Sequence, residues 1–512
     1  MTLPQNGDPA SSTPAVSISA VPPAPGAWSI LRSRPSLAIV TLLLLGAGSE
    51  LVPGLARYRL FRPRPAQERS LALAPSVSKV GEARLETETL ARPDLAQPSQ
   101  AELPAARLAA PRDASEPPLP QINAKEPPLP MLDPSGTALD GFFAALTDTA
   151  RKKAGAITRI SHFGDSIVVS DLVSGTLRRK FQDQFGDAGH GYMLIANAWP
   201  AYFHNDVTRY ATAGWMVSRI VGPYAADGLY GLGGVSFKAD AHSLARFGTA
   251  KGGNYGTSAA RFVVSYLEQP AGGEIEISVD GAVRDRLVTG GPAKKSAFYE
   301  LKVPDGPHEF SILTKRGVSR VFGVVLEREA PGIVLDALGV QGARIRFLDK
   351  QDDTHWAEQL KWRSPKLVIY QFGANESGDG FLYSMEDYSR TMKDVLLQGK
   401  RALPESSCLV IGAMDRAAKV GDQIVSIRVI PFIVEEQRKA ALQVGCAFFD
   451  VYTAMGGQRS MPTWVKRGLG QADLTHPSAV GSEVIGNWVF RALMQSYDAY
   501  LRRTGTAAPS NP

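Results

Sequence analysis

The spacing of apolar residues divides this chain of 512 residues into regions that predict different structures. A helix is predicted where apolar residues recur at i, i+3, i+4 and i+7, as they do at Leu139, Phe142, Phe143 and Leu146. An apolar run at 157–163 then predicts a strand, and a helix-like stretch follows it at 171–185. We therefore expect folding to begin near Ser135, with the first helix packed beside the first strand.

Residues from about 200 to 332 show strand patterns and no helical periodicity. The segments 261–267, 274–279 and 309–313 are rich in alternating or β-branched residues, and turn signals such as Asp280-Gly281 separate them. Short strands at regular spacing predict an inserted β-sandwich. Three of its aromatic residues could stack on sugar rings or belong to the core and loops: Trp215, Tyr224 and Tyr230.

From Leu335 onwards the chain alternates between strand and helix patterns. Strands are predicted near 366–372, 407–413 and 445–450, and a last helix is predicted at 479–493 with Ser478 as its N-cap. This alternation predicts an α/β fold with a doubly wound parallel sheet. The carboxyl ends of its strands, where such sheets bind ligands, would carry Ser166, Asn375, Asp415 and Asp473.

The first quarter of the chain lacks the pattern of a folded domain. An apolar run begins near residue 36, is preceded by arginines and ends at Glu50. It suits a signal peptide or a signal anchor over residues 36–56, and we expect an uncleaved anchor. Arginines after the run favour leaving the rest of the chain in the cytoplasm. Residues 57–134 are rich in Pro, Ala and Glu, which predicts a disordered tether.

Ser166 follows the first predicted strand in the turn Gly164-Asp165-Ser166 and precedes a helix. A serine at such a turn stands clear of the sheet with backbone N–H groups around it, as a nucleophile requires. His476 is a candidate general base for Ser166, and Asp473, three residues earlier, would orient the imidazole. Gly-Asp-Ser alone would equally suit an ordinary turn, and it is the combination that favours a serine esterase.

An oxyanion would be stabilised by the backbone N–H groups of Ser166 and Gly342 and by the side-chain amide of Asn375. Three further residues are possible pocket residues, namely Asp165, Asp415 and Arg416, although the last two could instead form a surface ion pair. We expect His162, on the first strand, to be a buried, hydrogen-bonded imidazole. The other histidines show no pairing in the sequence: His190, His204, His242, His308 and His355.

These motifs resemble, in order, those of the SGNH, or GDSL, hydrolases: the Ser of Gly164-Asp-Ser166, a Gly matched by Gly342, the Asn of Gly373-Ala-Asn375, and the His of Asp473-Leu-Thr-His476. The resemblance covers residues 136–500. The stretches 163–171, 185–191 and 334–343 further resemble periplasmic peptidoglycan O-acetylesterases, which carry a β-sandwich between the serine and glycine blocks and commonly have His where this chain has Ile167. The resemblance implies a flavodoxin-like α/β domain that hydrolyses esters without a cofactor.

Other chemistries lack their motifs in this sequence. His-Glu-x-x-His, paired Cys-x-x-Cys, a Walker-type lysine loop and Gly-x-Ser-x-Gly do not occur, so we predict no metal and no cofactor. The net charge of +6 is diffuse and gives no sign of nucleic-acid binding. Cys408 and Cys446 begin two strands, where a disulfide is sterically feasible, but we expect two buried thiols.

The sequence therefore predicts a serine esterase that removes O-acetyl groups from an acetylated cell-envelope polysaccharide, with peptidoglycan as the expected substrate. A polysaccharide O-acetyltransferase, a lipid esterase and a non-catalytic wall-binding protein remain alternatives. We expect a monomer, exported or anchored in the inner membrane and facing the periplasm, because its substrate is absent from the cytoplasm. The predicted organisation is a tail (1–35), the anchor (36–56), the linker (57–134), the hydrolase domain (135–199 and 333–503), the insertion (200–332) and a disordered tail (504–512).

Overall fold

The computed structural model describes residue 129 and residues 131–506. The strands are β1 (Met131–Leu132), β2 (Ile157–Gly164), β3 (Gly191–Leu194), β4 (Val207–Ala211), β5 (Met216–Arg219), β6 (Val235–Ala239), β7 (Leu244–Thr249), β8 (Ala259–Glu268), β9 (Glu274–Val279), β10 (Ala282–Val288), β11 (Lys295–Gly306), β12 (Glu309–Arg316), β13 (Ser319–Glu327), β14 (Gly332–Gly339), β15 (Leu367–Gln371), β16 (Ser407–Ile411), β17 (Ala417–Val420), β18 (Gln423–Ser426) and β19 (Ala447–Phe449). The α-helices are α1 (Asp140–Ala150), α2 (Ser166–Val169), α3 (Leu172–Phe185), α4 (Asp353–Arg363), α5 (Met385–Ala402), α6 (Ile430–Val444), α7 (Val451–Met455), α8 (Ser460–Lys466) and α9 (Ala479–Arg503), and two 3₁₀ helices are η1 (Ile345–Lys350) and η2 (Glu376–Leu382).

A six-stranded sheet organises the α/β part of the fold, in the order β1-β19-β16-β15-β2-β14. The strands from β19 to β14 run parallel, and β1 pairs with β19 in the antiparallel direction. Helices α1, α3 and α9 pack together, and α5 packs against α4 and α6. The predicted parallel sheet with intervening helices is confirmed, and its strands β15, β16 and β19 lie where the apolar runs indicated.

The first and last helices pack onto the same aromatic cluster. Helix α1 buries Phe142 and Phe143, and it lies beside β2 through the Thr149–Thr158 hydroxyl pair, which is 2.8 Å apart. Helix α9 begins at the predicted Ser478 cap, whose Oγ accepts a hydrogen bond from Gly481 N at 3.1 Å. It continues to Arg503, beyond the predicted end at residue 493, because Tyr497 packs its ring against Phe143.

Cys408 and Cys446 form a disulfide, so the expectation of two buried thiols is wrong. Strands β16 and β19 are parallel neighbours in which Leu409 faces Ala447. The two cysteines each precede one member of that pair, and their Cα atoms are 4.6 Å apart, within the range that a disulfide spans.

The strands between β2 and β14 form two antiparallel sheets. One has the order β10-β9-β12-β7-β4, and the other has the order β11-β8-β13-β6-β5, with β3 also paired to β13. The rings of Phe262 in β8 and Phe310 in β12 stack with centroids 4.9 Å apart, so the two sheets face each other there. Strand β3 lies before residue 200, so antiparallel structure begins earlier than the sequence pattern indicated.

Buried charges join the antiparallel strands to the parallel sheet. Glu327, at the end of β13, accepts hydrogen bonds from Arg159 of β2 at 2.8 Å, from Arg261 of β8 at 2.6 Å and from Arg363 of α4. Arg363 also donates to both carboxylate oxygens of Asp336 in β14, at 2.8 and 2.7 Å. Because Glu327, Asp336 and Arg363 are all buried, the two parts of the fold share one ionic core.

The predicted amino-terminal tail (1–35), signal anchor (36–56) and most of the linker (57–134) lie outside the described residues, as do residues 507–512 of the predicted carboxy-terminal tail. Within residues 131–506, no helix combines the length and the hydrophobicity that crossing a membrane requires.

Candidate active site

Ser166 is the first residue of the short helix α2 and directly follows β2. The chain can turn this sharply because position 164 is glycine: a Cβ atom there would lie 2.3 Å from Val168 Cγ2 and 2.9 Å from the carbonyl oxygen of Gln371. The turn is completed by Asp165, whose carboxylate accepts a hydrogen bond from Ile167 N at 3.0 Å. Ser166 is therefore held at the carboxyl end of a central strand, where its hydroxyl faces a cavity.

Ser166, His476 and Asp473 form one continuous hydrogen-bonded chain. Ser166 Oγ lies 2.7 Å from His476 Nε2, and His476 Nδ1 lies 2.6 Å from Asp473 Oδ2. With a proton on Nδ1 donated to the carboxylate, Nε2 is free to accept the hydroxyl proton of Ser166. The structure thus brings together the three residues that the sequence singled out, with the roles of nucleophile, base and orienting acid all geometrically available.

The loop that carries His476 is held by Asp473 itself. Asp473 Oδ1 accepts hydrogen bonds from the backbone N–H groups of Thr475 and His476, both at 3.0 Å. Partial burial raises the pKa of Asp473, but these hydrogen bonds and the one from the imidazole outweigh it and lower the pKa below its ordinary value. Asp473 is therefore a stable anion beside the imidazole.

The candidate oxyanion donors line the same cavity as the Ser166 hydroxyl. This cavity of about 370 Å³ is lined by Ser166, Gly342, Asn375 and His476, among others. Within the described chain, neither the backbone N–H of Ser166 nor that of Gly342 donates to a protein acceptor. Asn375 Nδ2 donates to the carbonyl oxygen of Ala343 at 2.9 Å and, in a longer contact of 3.5 Å, to Asp165 Oδ2. The two backbone N–H groups are thus available for a developing negative charge, and the Asn375 amide becomes a third donor when the oxyanion replaces its long contact with Asp165.

Asn375 is presented by a turn that requires glycine at position 373. Gly373 has φ of +122°, and a Cβ atom there would lie 2.6 Å from the Cβ atom of Ala413. Glu376 fixes this turn, because its two carboxylate oxygens accept hydrogen bonds from Gly373 N at 3.1 Å and from Ile345 N at 2.8 Å. Glu376 therefore holds the Asn375 turn against the segment that follows Gly342. Burial raises the pKa of Glu376.

The role of Glu376 was not predicted from the sequence. Its position directly after Asn375 is a signal only in retrospect, since one of its two partners, Ile345 N, lies 31 residues earlier at the start of η1. Arg416, predicted above as a possible pocket residue, has a similar function. It donates to the carbonyl oxygen of Ala374 and to Thr475 Oγ1 at 3.2 Å, so it ties the oxyanion turn to the histidine loop.

The two aspartates proposed for the pocket are buried and do not line the cavity. Burial raises the pKa of Asp165 to about 7, opposed by its hydrogen bond from Ile167 N, and its Oδ2 lies 3.5 Å from Asn375 Nδ2. Asp415 accepts a hydrogen bond from Met461 N at 2.9 Å at the start of α8. It is 1% exposed and thus forms no surface ion pair, and its role is to anchor that helix.

His162 is the buried, hydrogen-bonded imidazole that the sequence predicted. It lies 3.0 Å from both Gln371 Oε1 and Ser174 Oγ, and burial lowers its pKa to about 4. The sequence indicated no pairing for the other five histidines, but His190 Nε2 lies 2.7 Å from His204 Nδ1, and His308 Nδ1 lies 2.7 Å from Asp280 Oδ2. His190 and His204 are 14 residues apart in the sequence. They meet because the residue before β3 and the segment before β4 lie side by side.

His190, His204 and Asp171 place one potential metal ligand each within 4.8 Å of one another, a grouping found once among the described residues. Both carboxylate oxygens of Asp171 already accept hydrogen bonds from Arg178, at 3.0 and 2.7 Å. The positive charge of Arg178 opposes a cation at this position. The donor set therefore does not fit a metal ion.

Asn375→Ala is expected to lower the turnover number by a factor of about 100 to 1000, because one transition-state donor is removed. The KM for a small acetyl ester should change little, since the amide gains its strongest bond only when the carbonyl oxygen becomes charged. Steady-state kinetics on a soluble acetyl ester measures both constants. A large rise in KM at constant turnover would instead make Asn375 a ground-state binding residue.

Asp473→Asn should lower turnover by a factor of between about 100 and about 10,000, a smaller loss than removal of the serine or histidine. The amide still fills the space of the carboxylate but favours the wrong imidazole tautomer. Because Asp473 is 46% exposed, water can partly stabilise the imidazolium of His476 in place of the carboxylate. Activity equal to that of the unchanged protein, measured across pH, would remove Asp473 from the catalytic chain.

Comparison with known proteins supports the fold. A scan against family models gave no match, and a search of curated protein sequences gave none either. Among solved structures, the chain is similar to one described as "Peptidoglycan O-acetylesterase in action", with 22% identity and a TM-score of 0.62, over 72% of this chain and 99% of that one. A family two carbohydrate esterase from Cellvibrio japonicus also matches, at 11% identity over 58% of this chain and 99% of that one, with a TM-score of only 0.23.

The first of these similarities covers 99% of the other chain, which is described as an acetylesterase. At 22% identity, it shows that the two chains share a fold. That fold is a parallel-stranded α/β sheet with antiparallel strands between the serine and glycine segments. The described part of this chain therefore shares its fold with that solved structure.

Proposed function

We propose that this protein is a serine esterase that removes O-acetyl groups from a cell-envelope polysaccharide, with peptidoglycan as its substrate. The observation that carries the proposal is the continuous chain from Ser166 through His476 to Asp473, with contacts of 2.7 and 2.6 Å, facing a cavity that also holds two unpaired backbone N–H groups. A hydrogen-bonded serine and histidine beside an oxyanion hole suit acyl transfer.

The geometry supports a two-step mechanism. As Ser166 Oγ attacks the acetyl carbonyl carbon, His476 Nε2 accepts its proton, and Asp473 stabilises the resulting imidazolium. The oxyanion is stabilised by the N–H groups of Ser166 and Gly342 and by the Asn375 amide. His476 then gives its proton to the departing sugar oxygen, which leaves an acetyl ester on Ser166. Water attacks that ester, its proton passes through His476 back to Ser166 Oγ, and acetate leaves.

A polymeric substrate is supported by the antiparallel part of the fold. The catalytic residues all lie on the α/β part, so the strands from β3 to β13 are free to contribute substrate binding. We take the strands from β4 to β13 as a β-sandwich of the carbohydrate-binding type (residues 200–332), inserted into a hydrolase domain of residues 135–199 and 333–503, whose strand β3 pairs with β13 of the insertion. Residues 36–56 would anchor the protein in the inner membrane with residues 57–134 as a periplasmic tether, because acetylated peptidoglycan lies outside that membrane.

Acetate release from several substrates tests the proposal. The panel compares O-acetylated peptidoglycan, acetylated xylan and p-nitrophenyl esters of increasing chain length, each with the unchanged protein and with Ser166→Ala. We expect release from peptidoglycan at a higher kcat/KM than from xylan, and poor activity on long acyl chains because the cavity is only about 370 Å³. A preference for long chains would indicate a lipid esterase. Transfer of acetyl to an added glycan without free acetate would indicate an acetyltransferase.

A further inference from the structure

A second and larger cavity lies in the antiparallel part of the fold. We call it the Arg209 cavity; it has a volume of about 730 Å³ and is lined by residues of the segment 196–215. Four aromatic side chains contribute to its walls, Phe203 and Tyr210 being 55% and 56% exposed and Tyr202 and Trp215 being buried. Aromatic faces beside a few polar groups suit an amphipathic ligand such as a sugar.

The cavity wall contains a partly buried cation, Arg209, without an anionic partner among the described residues. Arg209 donates to Asn197 Oδ1 at 3.1 Å and to the carbonyl oxygen of Leu194 at 2.9 Å, and its guanidinium lies over the Tyr202 ring at 4.6 Å. Its Nε atom is buried without any hydrogen-bond partner, and no carboxylate of the described chain lies within 4.0 Å of the guanidinium. Burial accordingly lowers the pKa of Arg209. A partly buried charge with only neutral partners, and with its Nε atom unpaired, is less favourable in the free protein than one paired with an anion.

The carboxylates nearest in the chain are already occupied by other arginines. Asp206, three residues before Arg209, accepts two hydrogen bonds from Arg179, at 2.9 and 2.6 Å. Asp171 is bound in the same bidentate way by Arg178. Neither aspartate is therefore available to neutralise Arg209. An anionic ligand in the cavity would neutralise it.

The ionisable groups that line the Arg209 cavity suit a ligand with one negative charge. His204 also lines the cavity, but burial and the neighbouring arginines lower the pKa values of both His204 and His190, so the histidine pair is neutral. Its Nε2 atom is buried and has no partner within the described chain. One guanidinium and one neutral imidazole suit a carboxylate better than a doubly charged phosphate.

The Arg209 cavity and the catalytic cleft share one wall. Ala201 lines the cleft that contains Ser166, and the next residues, Tyr202 and Phe203, line the Arg209 cavity. Phe203 N donates to the carbonyl oxygen of Val169 in α2 at 3.3 Å, so this wall is attached to the helix that begins with the catalytic serine. A polymer bound at Ser166 could thus extend into the second cavity.

We propose that the Arg209 cavity binds a sugar unit with a free carboxylate, such as a muramic acid residue whose lactyl group carries no peptide, in the glycan whose acetyl groups are removed at Ser166, with the carboxylate on Arg209 and the sugar ring against the exposed aromatic residues. This inference rests on the proposed function for the identity of the polymer, but the binding site itself is independent of catalysis.

The test uses small sugars that contain no O-acetyl ester, titrated into the full chain and followed by saturation-transfer NMR. The probes are N-acetylmuramic acid, its neutral methyl ester, N-acetylglucosamine and acetate. We expect the acid to bind at least about tenfold more tightly than the other three, because only it combines a carboxylate with a sugar ring. Equal binding of the acid and its methyl ester would overturn the proposal.

Asn197 offers a variant that neutralises the site without removing Arg209. Asn197→Asp keeps the size of the side chain and places a carboxylate where Asn197 Oδ1 now accepts from Arg209. We expect it to weaken binding of N-acetylmuramic acid by about tenfold or more, without lowering the thermal midpoint. The matched variant Asn197→Ala leaves the positive charge in place and should bind within about threefold of the unchanged protein.

Arg316→Gln is the control for a general loss of charge, since Arg316 is 80% exposed and pairs with Glu274 elsewhere in the antiparallel sheets. It should leave binding unchanged. Equal losses in Asn197→Asp and Asn197→Ala, or no loss in either, would overturn the assignment of the carboxylate to Arg209. Failure of the proposed function is distinguishable, because it would appear as absent acetate release with sugar binding intact.

Discussion

Replacing Ser166 by alanine is expected to lower acetate release by a factor on the order of 10⁶ while the thermal midpoint stays within about 2 °C. The hydroxyl is the nucleophile of the proposed mechanism, so its loss removes the covalent path. It contributes little to folding, because its one strong contact is the 2.7 Å hydrogen bond to the half-buried His476. Acetate release and a thermal melt on the same preparation measure both effects.

His476→Ala should lower activity to a similar level, and the double variant should be no worse than either single one, because the two residues act as one unit. The non-additivity separates a shared catalytic role from two independent structural ones. Activity of Ser166→Ala within about tenfold of the unchanged protein would show that another residue is the nucleophile.

The second large effect concerns stability: Glu327→Ala should lower the free energy of unfolding by about 3 to 5 kcal/mol. Glu327 is the shared acceptor of Arg159, Arg261 and Arg363, and Arg363 is buried. Without the carboxylate, these guanidinium groups keep their charge and lose their main anion. Chemical denaturation monitored by tryptophan fluorescence measures the change.

Glu300→Ala is the matched control, because Glu300 also pairs with Arg261 but is 40% exposed. Its loss should cost less than about 1 kcal/mol. An equal decrease in the free energy of unfolding in the two variants would contradict a buried ionic core between the two parts of the fold. A decrease of less than about 1 kcal/mol in both variants would also contradict it.

The same carboxylate makes stability depend on pH in a defined direction. Burial would raise the pKa of Glu327, but the charges of Arg363 and Arg159 and the hydrogen bonds from the arginines outweigh it and hold the pKa well below its ordinary value of 4.5. The stabilisation is thus fully present above pH 4.5 and is lost progressively as the pH falls towards the lower pKa of the folded state. Glu327→Gln should reduce this loss of stability in acid, which denaturation curves at several pH values would show.

The grouping of the candidate catalytic residues could be predicted from the sequence because each lies in a short motif at the end of a recognisable element. Ser166 follows an apolar strand, Asn375 follows another, and His476 precedes a helix with a serine cap. In a parallel sheet the carboxyl ends of strands share one edge, so local patterns suffice to bring these residues together.

The residues that support the site and join the two parts of the fold could not be predicted from local patterns. Glu376 acts through Ile345, and Glu327 acts through arginines on three different elements, so their roles depend on contacts between segments far apart in sequence. The disulfide between Cys408 and Cys446 depends on which strands are neighbours and in which register. Such facts follow from the packed fold and leave no periodic pattern along the chain.

In the proposed mechanism, Ser166 carries the acetyl group during turnover. Rapid acid quenching of the unchanged protein with O-acetylated peptidoglycan, followed by peptide mass spectrometry, tests this step. We expect a transient mass increase of one acetyl group on the peptide that contains Ser166, absent from Ser166→Ala and absent with peptidoglycan that has been de-O-acetylated beforehand. Acetate release at the normal rate with no acetylated Ser166 at any quench time, or with the acetyl group on another residue, would contradict it.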